Sequence, residues 1–194
     1  FAHLFEHMLF QGSKNVGSDR HFEVLKSIGS STVNGTTNND RTNYFEVVPS
    51  NQLETALWLE SDRMGYLLPL LTQESLDNQI EVVRNERRQR YDNRAYGKSQ
   101  LKLFATLYPN EHPYHGSVIG KHEDLANATL NDVIEFYKKW YVPSNATLVI
   151  AGDFETEEAK KLVNKWFGSF PKSEQPKRNV IPMPKIKRAR VNVE

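Results

Sequence analysis

The sequence contains no cysteine. This absence excludes disulfide bonds and thiolate metal ligands, so any bound metal ion must be held by histidine, aspartate or glutamate. It does not restrict the compartment, because many exported proteins also lack cysteine.

The sequence also has almost no net charge and no long apolar run. Its 25 lysines and arginines are balanced by 24 aspartates and glutamates. No strong field therefore favours nucleic acid or an anionic membrane, and we expect no nucleic-acid partner. No apolar stretch approaches the ~20 residues of a membrane span. With 38% hydrophobic residues in a chain of 194, the composition is that of one large domain, or of a domain with an extension.

Neither an initiator methionine nor a signal peptide is present, and the chain begins at Phe1 inside a predicted helix. Because a domain does not normally start within the helix that carries its functional residues, we expect a fragment of a longer protein. The absence of a signal peptide therefore says nothing about export.

The first ten residues carry the clearest chemical pattern. They contain no Gly or Pro, and their apolar residues favour a helix with one buried side. On such a helix His3 and His7 lie on one face, one turn apart, where two imidazoles can bind a single small cation. Glu6, next to His7, could reach a water held on that metal. H-x-x-E-H is the motif of inverted zinc hydrolases, with two ligands and a general base; the alternative is a surface helix with two unrelated histidines.

The rest of the chain predicts helices with few strands. Helices are predicted over 18–27, 52–68, 73–91, 99–108, 130–140 and 157–167, and strands over 31–37, 42–49 and 146–151. Ser18 and Thr129 are the predicted N-caps of two of the helices. Because the order shows no alternation of strand and helix, it indicates an α+β fold, with helices packed on one face of a mainly antiparallel sheet.

The predicted strand over 31–37 is polar and has Gly35 in its middle. A polar strand that contains glycine contributes little to a core, but it suits the edge of a sheet. An extended peptide could add to such an edge as a further strand.

A catalytic zinc usually takes three protein ligands and leaves a fourth position to water. Without cysteine, the third ligand must be a carboxylate or another histidine. The candidates are three histidines in loop-like sequence and three glutamates of the long helix: His112, His115, His122, Glu74, Glu81 and Glu86. Glu86 shares a helix face with Gln79 and Val83, whereas Glu81 points away from Gln79. The spacing alone does not choose between them.

Four blocks in the sequence resemble the pitrilysin/insulinase/mitochondrial processing peptidase family of zinc metallopeptidases. They are H-L-F-E-H-M-L-F-Q-G-S, V-N-G-T-T, V-V-R-N-E-R-R-Q and N-A-T-L-V-I-A-G-D, in the order found in that family. The resemblance implies that His3 and His7 bind one zinc ion per chain, with Glu86 as the third ligand. It also implies that Glu6 is the general base. The expected function is therefore a zinc metalloendopeptidase that cleaves extended or unfolded peptides.

The same resemblance implies how the domain binds its substrate and its partners. Asn34, Gly35 and Thr36 match the edge strand along which such enzymes hold a peptide. Residues 1–171 would form the zinc-bearing domain, without its first strand, and residues 172–194 a linker and the start of a following domain. A second homologous half, in the same longer chain or in a separate subunit, is expected. Of the possible locations we favour an exported one, such as the periplasm of a bacterium.

One position departs from the family pattern. Many active members have a second carboxylate two turns before the third ligand, and this sequence has Gln79 there. A neutral amide can still orient a ligand, but it tunes the site differently. The alternative functions are a non-catalytic partner subunit or peptide-binding module of the same fold, and a structural zinc domain with four protein ligands.

Overall fold

The computed structural model describes residues 1–178, 180–183 and 185. Within these residues helices predominate. They are α1 (Ala2–Met8), α2 (His21–Ser27), α3 (Leu53–Gly65), α4 (Gln73–Arg87), α5 (Gly97–Leu107), α6 (His122–Ala126), α7 (Leu130–Trp140) and α8 (Thr156–Phe167). A π-helical turn over Arg88–Asp92 continues α4. No described helix has the length and apolar character needed to cross a membrane.

The strands form two antiparallel pairs: β1 (Gly12–Ser13) with β2 (Gly17–Ser18), and β3 (Thr32–Thr37) with β4 (Thr42–Val47). The hairpin of β3 and β4 is the one predicted from the sequence. Its turn is closed by Asn38, whose side chain accepts hydrogen bonds from the backbone N–H groups of Asp40 and Arg41. The predicted α+β class is confirmed, with antiparallel pairing throughout the described strands.

One face of the β3–β4 hairpin, which we call the inner face, looks onto α1 and α3. Side chains alternate between the two faces of a strand, and the pairing of Gly35 with Tyr44 sets the register. The inner face therefore carries Val33, Gly35, Thr37, Thr42, Tyr44 and Glu46. Apart from Val33 and Gly35, these residues are polar, so this face contacts other polar groups as well as the core.

The main core lies between α1, α4 and α7. Buried apolar residues from each helix meet there, among them Phe5, Met8, Leu76, Val83 and Val133. A smaller core of Val16, Leu25 and Leu59 joins α2 to α3. Helix α7 begins as predicted, because Thr129 and Asp132 form a reciprocal capping box.

The segment over 146–151, predicted as a strand, is neither helix nor strand within the described residues. Ala146 has extended backbone angles, but this segment pairs with no strand in the described part of the chain, and Val149 is 78% exposed. β-branched residues favour an extended backbone, whereas a strand also needs a neighbour to complete its hydrogen bonds.

Ser18 was predicted to be the N-cap of the second helix, and this prediction is wrong. Ser18 pairs with Gly12 in the β1–β2 ladder, and α2 begins later, after Arg20. The helix predicted over 52–68 ends at Gly65, and Pro69 lies in a separate 3₁₀ turn. Residues 171–178 and 180–183 are neither helix nor strand, in line with the predicted linker. The strand predicted to begin a following domain, over 188–194, lies outside the described residues.

Candidate metal centre

Helix α1 presents its two histidines because its opposite side is fixed in the core. Phe5 packs against the aromatic rings of Phe136, Tyr137 and Tyr141, with ring centroids 4.5–5.9 Å apart. Burial of this side leaves His3 and His7 together on another face, with ring centroids 4.8 Å apart and planes at 82°. The predicted helical spacing of the motif is confirmed.

Helix α4 brings a carboxylate to the same point. Thr72 and Ser75 cap its start reciprocally, and Leu76, Ile80 and Val83 bury one side. The Oε2 atom of Glu86 then lies 3.4 Å from His3 Nε2 and 3.4 Å from His7 Nε2.

The two separations from Glu86 match those expected around a tetrahedral zinc ion. Protein ligands that bind zinc at about 2.0–2.1 Å lie about 3.3–3.4 Å from one another, which is longer than an ordinary hydrogen bond. Within the described residues, His3, His7 and Glu86 form the group of histidines and carboxylates whose ligand atoms all lie within 4.8 Å of one another.

The charge states of these groups also suit a metal. Burial lowers the pKa of His3 to about 4, so its imidazole is neutral near pH 7, as a ligand must be. Contact with the His7 imidazole lowers the pKa of the Glu86 carboxyl, which keeps it ionised. His3 Nδ1 is buried without a hydrogen-bond partner in the described part of the chain.

Glu6 lies beside this group, between α1 and β3, and is only 7% exposed. It approaches the strand closely because Gly35 has no side chain. A Cβ at Gly35 would lie 2.8 Å from Glu6 Oε1 and 2.9 Å from its Cγ, closer than such contacts are normally seen. On the same face of β3, the Thr37 hydroxyl donates a hydrogen bond of 2.5 Å to Glu6 Oε2.

Arg90 contacts the far side of Glu86. Its Nη1 atom lies 3.1 Å from Glu86 Oε1, the oxygen that does not face the histidines. The π-helical turn over Arg88–Asp92 carries Arg90, and such turns frequently occur at functional sites. Neither Arg90 nor Thr37 was singled out from the sequence. Two spacings were the available signals. Arg90 follows Glu86 by one helical turn, and Thr37 follows Gly35 by two residues on the same face of the strand.

The other proposed third ligands lie elsewhere. His112 accepts a hydrogen bond from the backbone of Tyr114, His115 contacts the carbonyl of Tyr108, and His122 pairs with Asp92. Glu81 forms an ion pair with Arg84 on the surface, and Glu74 is exposed. Of the six candidates, the structure brings Glu86 to the two histidines.

The predicted substrate residues lie on β3, which has one partner strand in the described part of the chain. The backbone pairing of Asn38 with Arg41 sets the alternation of the ladder, so the peptide groups of Val33, Gly35 and Thr37 point to the free edge. Asn34 and Thr36 are exposed on the face opposite Glu6. The Asn34 side chain accepts a hydrogen bond of 2.8 Å from the Gly35 N–H.

A cavity of about 240 Å³ opens between this edge and the metal ligands. Glu6, His7, Gly35 and Gln79 line it together with the apolar residues Phe10, Phe22 and Val33. Gln79 is 7% exposed, and because it lines this cavity with Glu6 and His7, its neutral amide lies next to the site. The arrangement places a potential metal ion, a carboxylate and a free strand edge around one space.

Comparison with known proteins identifies the family. The sequence profile described as Insulinase (Peptidase family M16) matches residues 1–115. The profile described as Peptidase M16 inactive domain matches residues 127–194.

Several relatives are zinc proteases by name. The chain is 32% identical to Zinc protease PqqE of Helicobacter pylori, over 96% of this chain and 40% of that protein. It is 26% identical to Probable zinc protease PqqL of Escherichia coli, over 99% of this chain and 21% of that protein. The chain therefore spans less than half the length of these relatives.

Solved structures show the same fold. A protease from Helicobacter pylori has a TM-score of 0.82 at 32% identity, over 95% of this chain and 43% of that one. The periplasmic protease PqqL from Escherichia coli has a TM-score of 0.82 at 25% identity, over 94% of this chain and 20% of that one. The predicted resemblance is confirmed: because the insulinase profile matches more than half of the sequence, the chain belongs to the insulinase family, peptidase family M16.

Proposed function

We propose that this chain is the zinc-bearing part of a metalloendopeptidase that hydrolyses extended or unfolded peptides. The observation that carries the proposal is the convergence of one carboxylate oxygen and two imidazole nitrogens, at 3.4 Å, beside the carboxylate of Glu6. In this proposal His3, His7 and Glu86 hold one zinc ion per chain. The relatives named zinc proteases support the same metal.

Each residue has a distinct task in the proposed reaction. Zinc, when bound, supplies Lewis acidity that makes a water molecule more acidic and polarises the scissile carbonyl. Glu6 takes a proton from the attacking water and passes it to the leaving amine. The near-complete burial of Glu6 excludes bulk water from its carboxylate, which strengthens its interaction with a correctly placed reactant.

The substrate would bind as an added strand along the free edge of β3. The outward-pointing peptide groups of Val33 and Thr37, and the carbonyl of Gly35, offer main-chain hydrogen bonds, whereas the Gly35 N–H is bonded to the Asn34 side chain. Asn34 and Thr36 would contribute through their side chains. Because main-chain bonds are common to all peptides, selectivity for substrate sequence would be loose.

The complete enzyme would be larger than this chain. The chain covers 40% of the solved first half of the periplasmic protease PqqL from Escherichia coli. We infer that a following domain begins within residues 172–194 and that a second homologous half completes the substrate chamber. An exported, periplasmic location is the one we favour, in line with the description of that relative as a periplasmic protease.

The test is to measure zinc content and peptide hydrolysis of the full-length protein with and without the Glu6 carboxylate. We expect one zinc per chain in wild type and in Glu6→Gln, and a loss of turnover of about 10²–10⁴-fold in the variant. Glu81→Gln, on the exposed side of α4, is the matched control and should keep both. The probe is a set of unstructured, quenched fluorescent peptides.

Two outcomes would contradict the proposal. Zinc-loaded Glu6→Gln that hydrolyses peptides at the wild-type rate would remove the role of Glu6. Zinc-loaded wild type that binds the peptides without hydrolysing them would instead favour the non-catalytic partner subunit.

A further inference from the structure

The Glu6 carboxylate is held by a residue that lies outside the metal ligands and the general base. Thr37 Oγ1 lies 2.5 Å from Glu6 Oε2, and the two residues come from different elements, β3 and α1. A carboxylate at the end of a glutamate side chain has three rotatable bonds, so it needs an external contact to keep one orientation. The Thr37 hydroxyl is that contact.

The direction of the hydrogen bonds at Thr37 follows from chemistry. Its hydroxyl has one proton, and an ionised carboxylate can only accept. Thr37 therefore donates to Glu6, and Thr42 Oγ1, 3.2 Å away on the paired strand, donates to Thr37. The two threonines are directly opposite each other in the ladder, so β4 fixes the hydroxyl that fixes Glu6.

The register of β3 makes this contact possible. Gly35 and Thr37 are two residues apart and share the inner face, so glycine gives the carboxylate space where threonine gives it a donor. The methylene and carboxyl carbons of Glu6 lie against Gly35, and Oε2 reaches Thr37. Oε1, which would lie 2.8 Å from a Cβ at Gly35, is the oxygen that does not bond to Thr37.

We propose that Thr37 is a positioning residue, which orients Glu6 so that Oε1 faces the reacting water. This rests on the proposed function of Glu6 as general base. Orientation has a cost, because a hydrogen bond to a carboxylate also lowers its basicity. Since a displacement of about 1 Å at a reacting centre can reduce a rate by about 10²-fold, we expect orientation to dominate.

The experiment compares Thr37→Val, which has nearly the same shape without the hydroxyl, with Thr37→Ser, which keeps the hydroxyl. In the full-length protein we expect Thr37→Val to lower kcat about tenfold or more, with KM and zinc content unchanged. Thr37→Ser should recover kcat to within about threefold of wild type. Thr32→Val, at the exposed start of the same strand, is the control for loss of a hydroxyl on β3.

Crystal structures of wild type and Thr37→Val give a second result that does not depend on turnover. We expect the Glu6 carboxylate to keep its place beside Gly35 in wild type and to rotate away in Thr37→Val. If all the proteins lack turnover and Glu6 rotates only in Thr37→Val, the proposed function falls while the positioning role of Thr37 stands.

Several results would overturn the inference. Faster turnover in Thr37→Val would mean that the hydrogen bond acts mainly by lowering basicity. Equal losses in Thr37→Ser and Thr37→Val would assign the effect to packing. An unmoved Glu6 in the Thr37→Val structure would show that Thr37 does not orient Glu6. Loss of zinc from that variant would show that Thr37 supports the metal ligands instead of Glu6 alone.

Discussion

Two charged clusters lie against the inner face of the same hairpin, and they differ in how their charges are matched. The first, the site cluster, consists of His3, Glu6, His7 and Glu86. The second, the arginine cluster, consists of Tyr44, Glu46, Glu60 and Arg63. Both are largely shielded from water, and both join the hairpin to a helix.

In the arginine cluster the cation pairs with one carboxylate, although Arg63 Nη1 has no hydrogen-bond partner in the described part of the chain. Arg63 is 3% exposed, and its guanidinium contacts both oxygens of Glu60, with Nε 3.0 Å from Oε2. It also lies over the ring of Tyr44, 4.4 Å from the centroid. In the site cluster three ligand atoms instead converge on one point next to a cavity. Burial of charge alone therefore does not mark a functional site, whereas convergence of ligand atoms beside a cavity does.

The largest effect should come from removing a ligand of the site cluster. We expect Glu86→Ala to weaken zinc binding about a thousandfold, because two imidazoles alone hold zinc poorly. This effect is larger than the roughly 10–100-fold typical of residues that support the ligands without binding the metal. Glu81→Ala, one and a half turns earlier on the exposed face, should leave the affinity unchanged. Zinc affinity would be measured by competition with a chromophoric chelator, and the reverse order of the two variants would assign the ligand to Glu81.

The arginine cluster should respond in stability and not in zinc binding. Arg63→Met removes the guanidinium and leaves Glu60 near Glu46 without its partner, which should lower the free energy of unfolding by about 3 kcal/mol. Urea denaturation would measure the loss. Arg20→Met, which breaks an exposed pair with Glu23, should change it by less than about 0.5 kcal/mol. Loss of zinc from a folded Arg63→Met protein would break the distinction between the clusters.

Local sequence signals predicted much of this architecture. The helix of the H-x-x-E-H motif, the β3–β4 hairpin and the Thr129 cap each depend on residues close together in the chain. The strand predicted over 146–151 is not found in the described part of the chain, because a strand requires a partner, which local propensity does not supply. Helix α6 was not predicted, because five residues carry little helical periodicity.

The residues of the candidate site likewise fall into those that local spacing predicts and those that it does not. His3, Glu6 and His7 follow from the spacing within one helix, whereas the spacing left Glu86 and Glu81 as alternatives. Thr37 was missed because its contact with Glu6 joins residues 31 positions apart. The alternation of β3 places Thr37 on the face of Gly35, but only the packing of α1 onto that face shows what the hydroxyl meets.

The contribution of the arginine cluster to stability should depend on pH through the Glu46 carboxyl. Burial, together with the nearby charge of Glu60, raises the pKa of Glu46 to about 8. The folded protein therefore binds a proton at Glu46 more tightly than the unfolded chain, whose pKa is about 4.5. The stabilisation that the protonated Glu46 carboxyl contributes is complete below pH 4.5 and is lost as the pH rises through about 8. Glu46→Gln cannot ionise and should not show this loss.

Denaturation from pH 5 to pH 9 would measure the difference. We expect wild type to lose about 1–2 kcal/mol relative to Glu46→Gln over this range, less than the full shift would give because Glu46 keeps some contact with water. Glu135→Gln, at an exposed carboxylate of α7, is the control. A difference between wild type and Glu46→Gln that stays constant with pH would mean that the carboxyl does not titrate in this range.

The smallest effect should come from Arg90, which joins the site cluster from outside. Its guanidinium holds Glu86 Oε1 and so orients Oε2 toward the histidines, but its positive charge also repels a zinc ion. Arg90 is 69% exposed. Water and salt therefore weaken its repulsion of the zinc ion more than they disturb the orientation that it gives to Glu86. We therefore expect Arg90→Met to weaken zinc binding by about threefold, measured with the same chelator competition.

Arg88→Met is the matched control, since Arg88 lies in the same turn and bonds to Asn85 instead of a site residue. It should leave the affinity unchanged. Tighter zinc binding in Arg90→Met, growing larger at low ionic strength, would show that repulsion outweighs orientation. The Glu86 carboxylate would then be held by the core packing of α4 alone, as the buried residues Ile80 and Val83 on the same helix allow.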